Sequence, residues 1–122
     1  DGVRLIYPGL EKHPDHELFK SIMNPGYGFG GMLAIDVGTS EKANILMEKM
    51  EAEGVGYLAV SLGYFKTLFS NSGKSTSSEV PEETQKAMGL GEGLIRFSVG
   101  LDNDIENTWQ IISRCMEETG SR

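Results

Sequence analysis

With a single cysteine, Cys115, the chain has no partner for an intrachain disulfide, so its fold must rest on a hydrophobic core. No apolar run approaches the ~20 residues that a membrane-spanning helix needs, and nothing resembling a signal peptide leads the sequence. Basic residues are also scarce: 11 Lys and Arg stand against 18 Asp and Glu, a net charge of -7. Without a basic cluster there is no electrostatic footprint for a phosphate backbone, which excludes nucleic acid as a partner. What remains is one domain of 122 residues, long enough for a real core but small for an enzyme that carries a cofactor. There is no internal repeat and no second domain. The chain begins at Asp1, without Met, and reads as a strand almost at once. Its start is therefore expected to be a cut in a linker of a longer, cytoplasmic protein.

What is present alternates between strand-like runs and amphipathic helices. Val3 to Tyr7 is a short β-favouring run ended by Pro8-Gly9, and Pro14 sits where a first helical residue is tolerated, predicting a helix to about Met23. Met32 to Val37 predicts a strand, and Thr39-Ser40 supplies an N-cap for a helix in which Ala43, Leu46, Met47 and Met50 share one face. Gly54 ends it. Leu58 to Ser61 and Thr67 to Ser70 predict short strands, and Ser70 to Glu79 a polar loop. Pro81 with Glu82 and Glu83 suits a helix start, by fixed φ and favourable dipole. After a strand around Arg96, Asn103 with Glu106 is spaced like a capping box before a last helix with Ile105, Thr108, Ile112, Cys115 and Met116 on its apolar stripe. The strands are few and short, and two follow closely on one another. A doubly wound parallel sheet fits this poorly; the expectation is an α/β (α+β) domain, a small, mainly antiparallel sheet with helices packed on one face.

Three patterns imitate sites. Gly26-Tyr27-Gly28-Phe29-Gly30-Gly31 matches G-x-G-x-x-G, but it follows a helix and leads into a strand, so no helix N-terminus faces a pyrophosphate. Gly73-Lys74-Ser75-Thr76 ends like a P-loop, yet the motif's first glycine position is Leu68. His13 and His16 have no third ligand, and no metal site is expected. Cys115 and Met116, Met47 and Met50 read as core, and Trp109, just off the last helix's stripe, as partly buried or packed against a neighbouring domain.

The run from Gly93 to Leu101, Gly-Leu-Ile-Arg-Phe-Ser-Val-Gly-Leu, sets one permanent charge into an apolar strand. A guanidinium there needs an anion. Its planar fork fits a carboxylate bidentately, which makes Arg96 a candidate carboxylate receptor; the alternative is an arginine exposed or paired with an acidic neighbour. Ser61 closes another strand in Ser-Leu-Gly, where a hydroxyl either lines a cleft or caps its own turn.

Three segments, Val3-Arg-Leu-Ile-Tyr-Pro-Gly-Leu10 with Glu11-Lys-His-Pro-Asp-His16, Tyr57-Leu-Ala-Val-Ser-Leu-Gly63, and the Arg96 run, stand in an order and spacing that resemble the C-terminal part of the pyridoxal-phosphate enzymes of cysteine and methionine metabolism. That family includes methionine gamma-lyase, cystathionine gamma-lyase, cystathionine gamma-synthase and O-acetylhomoserine sulfhydrylase. The resemblance covers nearly the whole chain. It implies the small C-terminal domain of a fold-type I enzyme with an aminotransferase-like fold, whose large cofactor-binding domain precedes it. It further implies that Arg96 grips the α-carboxylate of an amino-acid substrate, with Ser61 and the backbone of Leu62 beside it, and that the full-length protein is a carbon-sulfur lyase or transferase of trans-sulfuration chemistry and a homotetramer. Within the family the expectation is a methionine gamma-lyase type of γ-elimination, with the sulfhydrylase, synthase and cystathionine lyase activities as alternatives. A non-catalytic interaction domain is the alternative outside it.

One departure from the family is plain. Where its members commonly show His-Pro-Ala-Ser-x-Thr-His, this chain has Asn71-Ser-Gly-Lys-Ser-Thr-Ser77, and only Thr76 lines up, as a substrate-site candidate. No Schiff-base lysine, phosphate cradle or partner for a pyridine nitrogen is recognisable, so neither Lys66 nor Lys74 takes the cofactor role. The chain alone is expected to hold no catalytic and no cofactor-binding residue and to be inactive.

Overall fold

The computed structural model describes residues 2–72 and 80–121. In chain order the elements are β1 (Arg4–Ile6), α1 (His16–Ile22), β2 (Met32–Asp36), α2 (Ser40–Ala52), β3 (Tyr57–Leu58), β4 (Leu68–Asn71), α3 (Glu82–Ala87), β5 (Leu94–Ser98) and α4 (Ile105–Glu118). The strands form one sheet in the order β1-β2-β5-β4-β3, antiparallel at every step except the parallel pair of β3 with β4. The mainly antiparallel α+β expectation holds.

The period of two along the strands divides the sheet into two faces. Ile35, Phe69, Ile95 and Phe97 point one way and meet Ala43, Leu46, Met47 and Met50 of α2 and Cys115 and Met116 of α4. Leu46, Met50, Phe69, Ile95 and Cys115 are completely buried. Each large side chain of this kind contributes about 1.5–3 kcal/mol by leaving water, so this layer is the main favourable term in the fold. Burial also pushes the Cys115 thiol up from its ordinary pKa, which fits an inert core cysteine.

Several boundaries differ from the sequence-based expectation. Helix α1 starts at His16, two residues after Pro14, because residues 7–16 are used up in successive turns: Leu10 N–H donates to Tyr7 O, His13 N–H to Leu10 O and His16 N–H to His13 O. In α2 the cap is as expected, Thr39 Oγ1 accepting the Lys42 N–H at 3.3 Å, and Gly54 leaves the helix at φ +79°, the left-handed region that favours glycine. Helix α4 is capped by Asp104 and not by Asn103. The Asp102 carboxylate accepts the Asp104 N–H at 2.8 Å and the Thr108 hydroxyl at 2.7 Å, which moves the helix start one residue on; Asp104 Oδ1 then takes the Asn107 N–H at 3.1 Å. The Thr108 hydrogen bond, with that of the Asp104 amide, holds the Asp102 carboxyl below the usual carboxylate range.

Strand β3 is shorter than expected, ending at Leu58 instead of Ser61. Ala59 N–H still reaches Phe69 O at 3.1 Å, but the chain then leaves the sheet. Because β3 and β4 are parallel, residues 59–67 have to travel back before β4 begins, and they do so across the sheet face that the long helices leave uncovered. The return is pinned to the end of β5: Leu101 N–H donates to Phe65 O at 2.8 Å and Gly100 N–H to Thr67 Oγ1 at 3.0 Å. A Cβ on Gly100 would run into the Lys66–Thr67 backbone, so glycine is required there.

Candidate functional site

Arg96 lies at the middle of β5, between Ala34 of β2 and Ser70 of β4, on the face turned away from α2 and α4. Its Nη2 donates to the main-chain carbonyls of Val60 at 2.6 Å and Ser61 at 2.9 Å. Two residues further along the same face, the buried Ser98 Oγ accepts the Gly63 N–H at 3.0 Å. The early end of β3 thus has a physical reason: the carbonyls that would have continued the ladder turn to the arginine instead. Among the described residues Arg96 has no carboxylate partner. The acid that shares its face on β2, Asp36, lies 3.6 Å from Arg4 and also accepts the Gly38 N–H. Arg96 is therefore a half-buried cation, held by neutral acceptors, in a chain whose net charge is -7.

The structure brings Ser61 and Arg96 together, but through the serine carbonyl; Ser61 itself is exposed. Leu62 follows on the same loop and is 60% exposed. Thr76 and Lys74 lie outside the described residues. Two contributors escaped the sequence reading: the Val60 carbonyl and Ser98. Ser98 was accessible to it, since its place two residues after Arg96 puts it on the arginine's face of any strand. Val60 was not, because a carbonyl's direction depends on where a strand ends.

Pyridoxal phosphate needs a lysine for its aldehyde, donors for its phosphate and an acid for its ring nitrogen. The described residues do not fit that set. Lys49 is held by Glu118 and Lys20 by Glu17, while Lys66 Nζ lies over the Phe65 ring at 5.8 Å. What the sheet face offers is a fixed guanidinium, the chemistry of a carboxylate receptor. The two histidines have separate structural partners: the His16 ring nitrogen lies 2.8 Å from Pro8 O, with its ring stacked on Phe29, and His13 Nδ1 accepts the Asp15 N–H. Among the described residues there is no group of three or more metal-ligating side chains, and no helix is long and apolar enough to cross a membrane.

On the helix side a groove of about 460 Å³ runs between α4 and strands β1, β2 and β5. Leu5, Leu33, Val99, Ile105, Trp109 and Ile112 form much of its lining. Leu5 is 46% exposed and Ile105 and Trp109 are each 56% exposed, so the expected stripe of α4 is buried only at its C-terminal end. Trp109, assigned on sequence to the edge of that stripe, lies on this open wall.

Comparison with known proteins follows the same lines. A family model described as Cys/Met metabolism PLP-dependent enzyme matches residues 3–113. Methionine gamma-lyase of Arabidopsis thaliana is 51% identical over 109 residues, 88% of this chain and 25% of that protein. Cystathionine gamma-lyase of Bacillus subtilis is 35% identical over 113 residues, 93% of this chain and 28% of that protein. Among solved structures, a putative O-acetylhomoserine (thiol)-lyase from Campylobacter jejuni, which carries a pyridoxyl-lysine-phosphate group, has a TM-score of 0.80 at 27% identity and covers 96% of this chain and 26% of that one. Yeast cystathionine gamma-lyase, at 24% identity and a TM-score of 0.84 over 98% of this chain and 30% of that one, shares the fold. The chain thus spans about a quarter of the length of the curated relatives it matches. It belongs to the pyridoxal-phosphate-dependent enzymes of cysteine and methionine metabolism.

Proposed function

We propose that this chain is the small, C-terminal, substrate-binding domain of an enzyme that eliminates the γ-substituent of a sulfur amino acid, of the methionine gamma-lyase type, and that Arg96 receives the substrate's α-carboxylate. The observation that carries this reading is the state of Arg96: a half-buried guanidinium anchored by two main-chain carbonyls and left without a carboxylate among the described residues. The alternative of a non-catalytic interaction domain has the arginine paired with an acidic neighbour, and among the described residues the acid that shares its face on β2, Asp36, is paired with Arg4. The 51% identity to a methionine gamma-lyase favours that activity over sulfhydrylase or synthase chemistry.

Ser61 and Leu62 lie beside the bound carboxylate in this reading, with Thr76 as a further contact. When bound, pyridoxal phosphate supplies an electron sink for the carbanion. Its lysine and phosphate cradle belong to a preceding large domain. The domain's own contribution is positioning. A bidentate carboxylate fixes the amino acid's orientation, so that the bond to be broken is presented in one geometry. The apolar groove beside α4 is the surface on which the large domain of the same chain packs, since a patch containing Leu5, Trp109 and Ile112 is stabilised by leaving water. The whole enzyme is a cytoplasmic homo-oligomer, a tetramer, in this reading. The test is substrate kinetics of Arg96→Ala in the full-length enzyme, with an amino acid and the matching amine lacking the carboxylate; loss of use of the amino acid without loss of cofactor or fold is the result expected.

A further inference from the structure

Ser70 of β4 is 5% exposed, and its Oγ makes no hydrogen bond. Directly opposite it in the antiparallel register stands Arg96, whose Nε is likewise buried and without a hydrogen bond. Residues paired in this way point to the same face, with Cβ atoms about 4.5–5.5 Å apart. The two atoms are complementary as well as adjacent in register: Nε–H can only donate, and a hydroxyl oxygen accepts. Buried polar atoms nearly always find a partner, and one attached to a charged group is especially unfavourable when left alone. A single step between staggered rotamers about χ1 re-aims the serine oxygen. On the other flank of Arg96, Ala34 has no acceptor in its side chain.

The state of Nη2 shows why this matters for binding. Both its hydrogens are directed at main-chain carbonyls, those of Val60 and Ser61. A carboxylate gripped on the end edge of the fork takes one hydrogen from Nη1 and one from Nη2, so one of those carbonyl bonds has to be released as the ligand arrives. The guanidinium then needs a second anchor to keep its plane. We propose that Ser70 is that anchor, a positioning residue whose hydroxyl accepts the Arg96 Nε–H when the amino acid is bound. This rests on the reading of Arg96 as the carboxylate receptor. Held at Nε from β4 and by the remaining carbonyl from the loop, the fork keeps its Nη1–Nη2 edge toward the ligand and does not rotate about the Cδ–Nε bond.

The experiment uses the full-length, cofactor-loaded enzyme and two probes, L-norleucine, which has the carboxylate but no leaving group, and 1-aminopentane, which lacks the carboxylate. Ser70→Ala is expected to weaken norleucine binding about tenfold, the loss of one hydrogen bond to a charged group. It should leave 1-aminopentane within about twofold, and raise the substrate KM with kcat nearly unchanged. Ser70→Thr, which keeps the hydroxyl, should bind norleucine like the parent, and the near-isosteric Ser70→Cys should behave like Ser70→Ala. The cysteine variant decides the matter if the alanine variant folds poorly. If Arg96→Ala leaves norleucine binding unchanged, the carboxylate reading itself fails. If Arg96→Ala weakens norleucine but the Ala and Cys variants of Ser70 bind it as tightly as the parent, or lose both probes alike, the Ser70 assignment is overturned and the reading of Arg96 stands.

Discussion

Ser98 Oγ accepts the Gly63 N–H at 3.0 Å from the same face of β5 that carries Arg96, so the strand that bears the arginine also anchors the loop that meets it. Ser98 is 4% exposed, which places this bond where water replaces it poorly. Ser98→Ala is expected to lower stability by about 1–3 kcal/mol and to raise the substrate KM of the full-length enzyme, since residues 60–63 lose a tether. Urea unfolding and steady-state kinetics measure the two effects. A stability loss with unchanged KM would separate the loop from the site.

Arg96→Ala in the full-length enzyme should reduce kcat/KM on the order of tenfold to over a hundredfold, the equivalent of about 1.5–3 kcal/mol for a charge-assisted contact. Arg96→Lys should recover part of this, because an ammonium keeps the charge but loses the planar fork. Activity per folded molecule is the quantity to compare. If it is unchanged in Arg96→Ala, the arginine is structural.

The 122-residue chain alone should not bind pyridoxal phosphate, because Lys20, Lys49 and Lys66 are engaged elsewhere and no phosphate cradle is recognisable in the sequence beside the other lysines. Titration followed by absorbance should show no stoichiometric lysine adduct. A saturable band that disappears on replacing one lysine of this chain would place the cofactor here.

Leu5→Asp should separate the isolated chain from the full-length protein. In the chain, Leu5 is 46% exposed at the groove, and the substitution is expected to change stability by no more than about 0.5 kcal/mol. In the full-length protein, where the groove is covered in the proposed reading, the loss of apolar burial and the unpaired acid should cost about 2 kcal/mol or more. Equal effects in the two proteins, by chemical unfolding, would leave the groove without an interdomain role.

Glu118 and Lys49 tie α4 to α2 through an ion pair. The hydrogen bond from Lys49 holds the Glu118 carboxyl below its ordinary pKa, and the same contact raises that of Lys49. A lowered carboxylate stabilises the fold above its unfolded pKa, and the contribution disappears as pH falls through the folded value; the raised lysine contributes below its unfolded pKa and loses that contribution as pH rises through its folded value. Glu118→Gln should therefore be less stable than the parent at neutral pH, and the difference should vanish in acid. Both groups are solvent-facing, so the gap should also shrink with added salt. A gap that is constant from neutral pH to strong acid would mean that Glu118 acts through packing alone.

The sequence by itself determined the buried faces of β5 and α2. Alternation in Leu94 to Ser98 put Ile95 and Phe97 toward the helices and Arg96 away from them, and three- and four-residue spacing put Ala43, Leu46, Met47 and Met50 on the buried side of α2. Those are local periodicities, legible wherever a side chain's direction follows from its position in a repeat. The run of glycines at 26–31 could also be read from its neighbours as a helix-to-strand connection. Other features depended on residues distant in sequence. Which acid neutralises which arginine, where β3 ends, and what occupies Nη2 of Arg96 were decided by bringing residue 36 to residue 4 and residues 60 and 61 to residue 96. The cap of α4 moved from Asn103 to Asp104 because Asp102 competes for the same turn, a contest between equally spaced acceptors that spacing cannot rank. Ser70 stayed invisible for the same reason. Its place beside Arg96 exists only in the register of β4 against β5, and register is set by the packing of Phe69 on Phe97 and by the pinned loop, not by the serine.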